Sequence, residues 1–508
     1  MTAMLRSPLL RRGTIRLAVL SLVAAAAAAT LRAEDQDAAV KSTRESWQVI
    51  YLGDDRIGYA HSTTAPAERD GRKVIRSVSE TSLTLKRFGQ TLQMTIRSEF
   101  EETAGGDLLS FTHVTENPPA SSTRMKGRVE GKELHLETKT AGVSRQQTLP
   151  WTGDVKAPDY QERTLRDPPL KPGDVRRFKL FVPDLKQATD VRVAADDYQT
   201  VKLHDGKSQR LLKVRITQSV LPTLTTRAWL DEQGRTLRSE SDLFGLSMIT
   251  YEVPETVALE EIAGGELDLA INTLVRVRPI RTGHDSRRVV YRLTTPDADP
   301  AEFLLSGDTQ QMKKLGEHQA ELTVTALPIP EKARLRPTAA EYLASSEFLQ
   351  SQDRRVVDHA RRAAAGERDP GAVARRMERY VHEKVDKKNF STAMATAAEV
   401  AERLEGDCTE HAVLLAAMLR AEKIPSRVAV GLVYLPRRNA FAGHMWTEVR
   451  LDERWVPLDA MLGKGGIGAA HIKLAESGLS DDGPSPLGTF LPLLKVLGNI
   501  QIEIIEAE

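Results

Sequence analysis

Between Trp47 and about Tyr251 apolar and polar positions alternate with period two, the pattern of half-buried strands. Ser82-Leu83-Thr84-Leu85, Thr91-Leu92-Gln93-Met94-Thr95-Ile96 and Lys132-Glu133-Leu134-His135-Leu136-Glu137 are clear instances. Asp54-Asp55, Asp70-Gly71, Gly105-Gly106, Glu130-Gly131, Asp205-Gly206 and Gln233-Gly234 punctuate them as turns. The spacing predicts an antiparallel sheet, either a sandwich or a strongly curved open sheet, broken near its middle by Pro168, Pro169 and Pro172. Its histidines (His61, His113, His135, His204) are scattered and read as solvated strand positions. A shorter β-patterned stretch runs from about Asn272 to Pro328, followed by a linker punctuated by Pro328, Pro330 and Pro337.

The period then changes. Val373, Met377, Tyr380, Val381 and Val385 share one helical face, and Asp369-Pro370 is a plausible start for that helix. Thr396 and Glu399 fit a capping box for a short helix ending near Gly406. A further helix opens at Gly406-Asp407-Cys408-Thr409-Glu410-His411. Its continuation, Ala412 to Leu419, is apolar on every side, which predicts a buried central helix. Arg427 to Tyr434 reads as a buried strand and Pro436 to Gly443 as a polar loop. The segment from His444 to Leu451 turns at Asp452-Glu453-Arg454 and returns as Trp455 to Asp459. A hairpin brings its two ends together, so Asp459 is expected beside His444.

Composition narrows the picture. A chain of 508 residues exceeds what one core usually serves, so two or more domains are expected. With 41% hydrophobic residues, 28% charged residues and a net charge of +1, it is ordinary for a globular protein and offers no bulk attraction to nucleic acid. Arg6, Arg11, Arg12 and Arg16 precede the uncharged run from Leu17 to Thr30, and Leu31-Arg32-Ala33 precedes Glu34-Asp35. That order predicts a signal peptide over residues 1–33 and an exported chain, periplasmic or extracellular, with an uncleaved anchor as the alternative. No later segment reads as a membrane span. The chain has a single cysteine. In an exported protein it can make no internal disulfide, so Cys408 needs either burial or a use.

Cys408 falls in the first turn of the central helix, where free N–H groups and the helix dipole favour a thiolate and can face an oxyanion. A thiol attacking an acyl carbon needs an imidazole to accept its proton, and a carboxylate to orient that imidazole. Cys408, His444 and Asp459 supply the three groups. His411, one turn along the same helix, is read as a packing residue. Asp407 and Glu410 are read as serving the helix start. No metal-ligand spacing is evident, and Gly463 to Gly468 reads as a flexible loop rather than a phosphate loop.

The runs Gly406 to Ala412, Ile424-Pro425-Ser426-Arg427-Val428, His444-Met445-Trp446 and Trp455 to Asp459 closely resemble the transglutaminase-like superfamily over about residues 370 to 470. The resemblance implies an α+β fold with a papain-like core, Cys408 as nucleophile, His444 as general acid/base and Asp459 as orienting carboxylate. It implies no cofactor and a protein or peptide substrate. The family's upstream oxyanion donor is unassigned, since Asn389 to Ala395 offers Phe390 but no Trp or Tyr. The β half is similar to accessory β domains upstream of such domains in exported bacterial proteins. The expected division is residues 1–33 signal peptide, 45–255 antiparallel β domain, 270–330 small β region and linker, 338–480 transglutaminase-like domain and 481–508 C-terminal extension. Two functions follow: thiol-dependent acyl transfer or hydrolysis through a Cys408 thioester, or a cell-envelope binding or scaffold protein whose β region carries the function.

Overall fold

The alternating half folds into one sheet of fifteen strands between Arg44 and Glu252. Strand Arg44–Leu52 sits centrally and pairs on one side with Asp55–Arg69 and on the other with Leu246–Glu252. Two antiparallel meanders run outward from it. One ends at Val143–Pro150 and the other at the two-residue strand Val155–Lys156, which pairs in parallel. Asp70 and Gly71 both take positive φ, the twist a two-residue hairpin requires.

Of the two expected sheet forms, the strongly curved one is found. Phe181, near one edge, packs on Phe111 and Trp151 from the other half, with ring centroids 5.4 and 5.6 Å apart. An isolated bridge between Asp107 and Lys156 joins the same halves. Gly127 permits this packing, because a Cβ there would lie 1.9 Å from the Phe111 ring. One expectation fails. His113 is buried, not solvated, held by Ser98 at 2.8 Å and Asp184 at 3.0 Å on the concave side.

The computed structural model describes residues 42–508 apart from 121, 263–266, 297, 392–393 and 484–485. The signal peptide expected over residues 1–33 lies outside the described residues. Among those described, no helix is long and apolar enough to cross a membrane.

A four-stranded sheet comprises Gln310–Gly316, Gln319–Thr325, Arg288–Thr294 and the final strand Gln501–Ala507, in that spatial order. Read from the sequence as an extension, the C-terminal segment instead closes this sheet. Ile502 and Ile504 alternate with the exposed Gln501, Glu503 and Ile505 and bury themselves beside Leu293 and Tyr291.

The remaining unit places helices Arg354–Ala364, Pro370–Lys384, Ala397–Arg403 and Cys408–Ala421 against a five-stranded antiparallel sheet. Asp369 caps the second helix, and Thr396 with Glu399 forms the capping box of the third. Strand Ser426–Leu435, buried along nearly its whole length, lies between Ala440–Leu451 and His471–Ser477. The loop expected over 436–443 is shorter. Phe441 already pairs with Tyr434, because its ring is fully buried against Tyr291 and Tyr434. His444 therefore lies within a strand, opposite Gly431. One apolar core joins both halves: Leu85 and Met94 of the large sheet share it with Leu414 and Met445.

Candidate active site

The helix Cys408–Ala421 begins with a second capping box. Asp407 Oδ1 accepts the Thr409 N–H at 2.8 Å, and Glu410 Oε2 accepts the Asp407 N–H at 2.9 Å. Glu410 folds back over Gly406, whose φ of +149° and missing Cβ make room; a Cβ there would stand 2.3 Å from the Glu410 side chain. Burial, then the Asp407 charge, pushes Glu410 up to about 8. Burial also opposes ionisation of Asp407, but Arg87 and the Thr409 N–H outweigh it and hold Asp407 below the ordinary carboxylate range. Cys408 is the first residue of this helix and is half-buried.

Cys408 lies close enough to His444 for its thiol to act on the imidazole charge. His444 Nε2 lies 2.8 Å from Asp459 Oδ2, and His471 Nε2 lies 3.1 Å from the same oxygen. The fold thus brings Cys408, His444 and Asp459 together. With Nε2–H donated to Asp459, Nδ1 is the His444 nitrogen left to face the thiol. Burial disfavours the His444 imidazolium, but Asp459 and then Cys408 outweigh burial and raise His444 well above its ordinary value. Asp459 is held far below the ordinary carboxylate range: burial opposes this, and the charge and hydrogen bond of His444 prevail. His471 is lowered by burial despite its bond to Asp459. Asp459 Oδ1 accepts the Met461 N–H at 2.9 Å.

Beneath this group lies Glu378, fully buried. Its Oε1 accepts the N–H groups of Asp459 and Gly466, both at 3.2 Å. Burial pushes it up to about 7. The glycine run expected to be a flexible loop is pinned here and elsewhere: a Cβ on Gly463 would meet the His382 ring at 2.3 Å, and one on Gly468 the His284 carbonyl at 2.1 Å.

His411 packs rather than reacts. Its Nδ1–H donates to Asp407 O at 2.6 Å, so Nε2 is an acceptor and takes the Lys388 ammonium at 2.9 Å. Burial, then Lys388, pushes His411 down to about 4.

The β half reaches this site through the turn Arg87-Phe88-Gly89-Gln90. Arg87 Nη2 donates to Asp407 Oδ2 at 2.6 Å. Asp268 accepts the Phe88 and Gly89 N–H groups at 3.0 and 2.6 Å. Gln90 donates to Lys388 O at 3.1 Å and accepts the Phe390 N–H at 2.6 Å, while the Phe88 and Phe390 rings meet edge-on at 5.0 Å. Burial works against the Arg87 charge, but Asp407, Cys408 and Glu410 together raise it.

Sequence reasoning missed Arg87, Glu378 and His471. A carboxylate beside the Met377–Val381 face and a histidine opening an apolar strand were legible signals for two of them; nothing in the sequence pointed to Arg87. The fold also brings ligand atoms of His444, Asp459 and His471 within 4.8 Å of one another, a grouping the sequence reading did not contain. The two contacts to Asp459 have hydrogen-bond lengths.

A thiol at a helix start beside an imidazole–carboxylate pair from the neighbouring sheet is the arrangement a thiol enzyme requires. The family model of the transglutaminase-like superfamily matches residues 358–460, and the C-terminal part of the chain carries a domain of that superfamily. No curated protein matches the sequence. A candidate cysteine protease from Cytophaga hutchinsonii is similar at 13% identity and a TM-score of 0.30, covering 44% of this chain and 89% of its own. A β-barrel-like protein of a domain of unknown function from Brucella abortus shows 13% identity and a TM-score of 0.30, covering 42% of this chain and 96% of its own. A candidate protease from Parabacteroides distasonis shows 11% identity and a TM-score of 0.20, covering 67% of this chain and 64% of its own.

Proposed function

We propose that this is an exported enzyme with a papain-like core that transfers or hydrolyses the acyl group of protein or peptide amides through a Cys408 thioester. One arrangement supports the reading: His444 lies 2.8 Å from the buried Asp459 carboxylate and feels the charge of the lone thiol. His444 Nδ1 takes the thiol proton as sulfur attacks the acyl carbon, and gives it to the leaving amine as the C–N bond breaks. Asp459 fixes the tautomer and stabilises the imidazolium without being protonated itself. The Asp407 carboxylate occupies the Thr409 and Glu410 N–H groups, so the Cys408 N–H is the first-turn donor that serves the oxyanion. Water then releases an acid, or an amine a new amide; both share the first half-reaction. Export rests on the basic and apolar order of residues 1–33.

The test is alkylation of Cys408 by iodoacetamide at neutral pH, paired with turnover of peptide and glutamine amides with and without added amine. The parent chain should be alkylated and turn over. His444→Ala should lose both, and Cys408→Ala should lose turnover. A folded parent whose thiol stays unreactive near pH 7 overturns the reading. A biological effect that survives Cys408→Ala intact favours instead the binding or scaffold role of the β region.

A further inference from the structure

A cavity of about 240 Å³ lies between the concave side of the large sheet and the start of the Cys408–Ala421 helix. Leu85, Leu92 and Phe244 line it from the sheet, and Phe348, Met394 and Leu497 from the C-terminal side. Thr409 and Gly443, the neighbours of Cys408 and His444, also form part of its wall. Protein interiors are packed close to crystal density, and voids larger than a water are few. Neutral polar groups, among them Thr115, Asn117, Thr123 and Thr273, interrupt a wall that is otherwise mainly apolar.

The wall's charges are already matched. Arg87 pairs with Asp407 at 2.6 Å, Asp184 with His113 at 3.0 Å, and Lys186 with Glu347 at 3.9 Å. An ionic occupant would have to break one of these pairs, whereas an uncharged apolar one breaks none.

Resting on the thiol-enzyme reading, we propose that this cavity holds an unbranched alkyl chain on the acyl side of the substrate, so that the carbonyl attacked by Cys408 belongs to an N-acylated amine or peptide. At roughly 30 Å³ for a group the size of a water, the volume suits a chain of about eight methylenes.

The experiment uses the full chain with Cys408→Ala, so that binding is read without chemistry. Primary amides of straight-chain acids from four to twelve carbons are titrated calorimetrically. Affinity should rise roughly fourfold per methylene, then level off near eight. Ala270→Phe projects a ring into the cavity from its wall, and should bring the levelling point down by several carbons. Ala270→Leu, a smaller intrusion, should lower it less, and serves where the Phe variant fails to fold by circular dichroism. The proposal is overturned by less than a twofold gain per methylene, by an unchanged levelling point in a folded Ala270 variant, or by tighter binding of leucinamide than of octanamide. Flat binding beside His444-dependent alkylation of Cys408 in the parent chain refutes the cavity proposal and leaves the thiol reading standing. Chain-length-dependent binding beside an inert thiol supports the cavity and removes the acyl-enzyme.

Discussion

Arg87 is a point where the β half grips the start of the Cys408–Ala421 helix, and its removal gives a sharp test of that coupling. Arg87→Met deletes the cation that faces Asp407. The Asp407 side chain is 0% exposed and that of Arg87 18%, so the loss leaves a buried carboxylate without its counter-charge. Breaking such a pair from one side costs about 3–5 kcal/mol. Asp407 keeps the Thr409 N–H and hydroxyl as donors at 2.8 Å each, which places the expected loss near the lower end, about 3 kcal/mol. Neutralising the other partner should rescue it: in an Asp407→Asn background, Arg87→Met should cost under about 1 kcal/mol, a coupling of about 2 kcal/mol. The folded-state pKa of Asp407 is depressed. The pair's contribution is therefore complete above the ordinary aspartate range and is lost only as pH falls through and below about 4. Urea unfolding of the four chains, followed by tryptophan fluorescence at pH 7, measures the cycle. Equal costs of Arg87→Met in both backgrounds would refute the reasoning, because the arginine would then act through packing alone.

Other expectations follow from the same geometry. Glu378 is pushed up to about 7 from an ordinary 4.5. Folding thus keeps it protonated where the unfolded chain does not, and stability is lost as pH rises from about 4.5 through 7. Glu378→Gln retains an acceptor for the Asp459 and Gly466 N–H groups and should gain up to about 3 kcal/mol at pH 8 but almost nothing at pH 4.5; an equal gain at both pH values in urea melts would sink this account. Gly406→Ala should cost about 2–4 kcal/mol through a strained φ and a displaced Glu410 cap; a melting temperature within 1 °C of the parent's, on the order of a few tenths of a kcal/mol, contradicts it. In Cys408→Ala the His444 imidazole loses one of the groups that raise it, so its nitrogen-15 resonances should titrate at lower pH than in the parent, and an unchanged midpoint would separate His444 from the thiol.

The parts legible in the sequence are those set by local pattern. Period-two alternation reports strands that bury one face, as in Gln90–Glu102, and the all-apolar Ala412 to Leu419 reports a helix buried on every side. Capping at Thr396 and Asp407 is local as well. The His444–Asp459 contact was legible because a tight hairpin joins the two. What escaped was built by contacts remote along the chain. Arg87 meets Asp407 across 320 positions, and the final strand reaches Arg288–Thr294 across some two hundred residues. His113 escaped for another reason. On a curved sheet the concave face is interior, and alternation cannot say which face that is.

The two histidines on Asp459 raise the question of which carries the charge. Both are buried, both bond the same oxygen, and their rings stand 5.9 Å apart. Two positive rings at that separation repel by about 3 kcal/mol at an effective dielectric near 20, so the carboxylate supports one imidazolium and not two. Asp459 alone would not choose, since it offers similar bonds to each. The difference lies on the far side of His444, where the Cys408 thiol adds a charge that favours its imidazolium, whereas His471 has the Gly468 backbone beyond Asp459 and stays lowered by burial. His471 also lies beside His284, a third imidazole 5.6 Å away that burial and His471 itself push down to about 4. On the proposed mechanism a proton leaving the thiol would therefore have His444 as its favourable destination, with a neutral His471 holding the carboxylate in place.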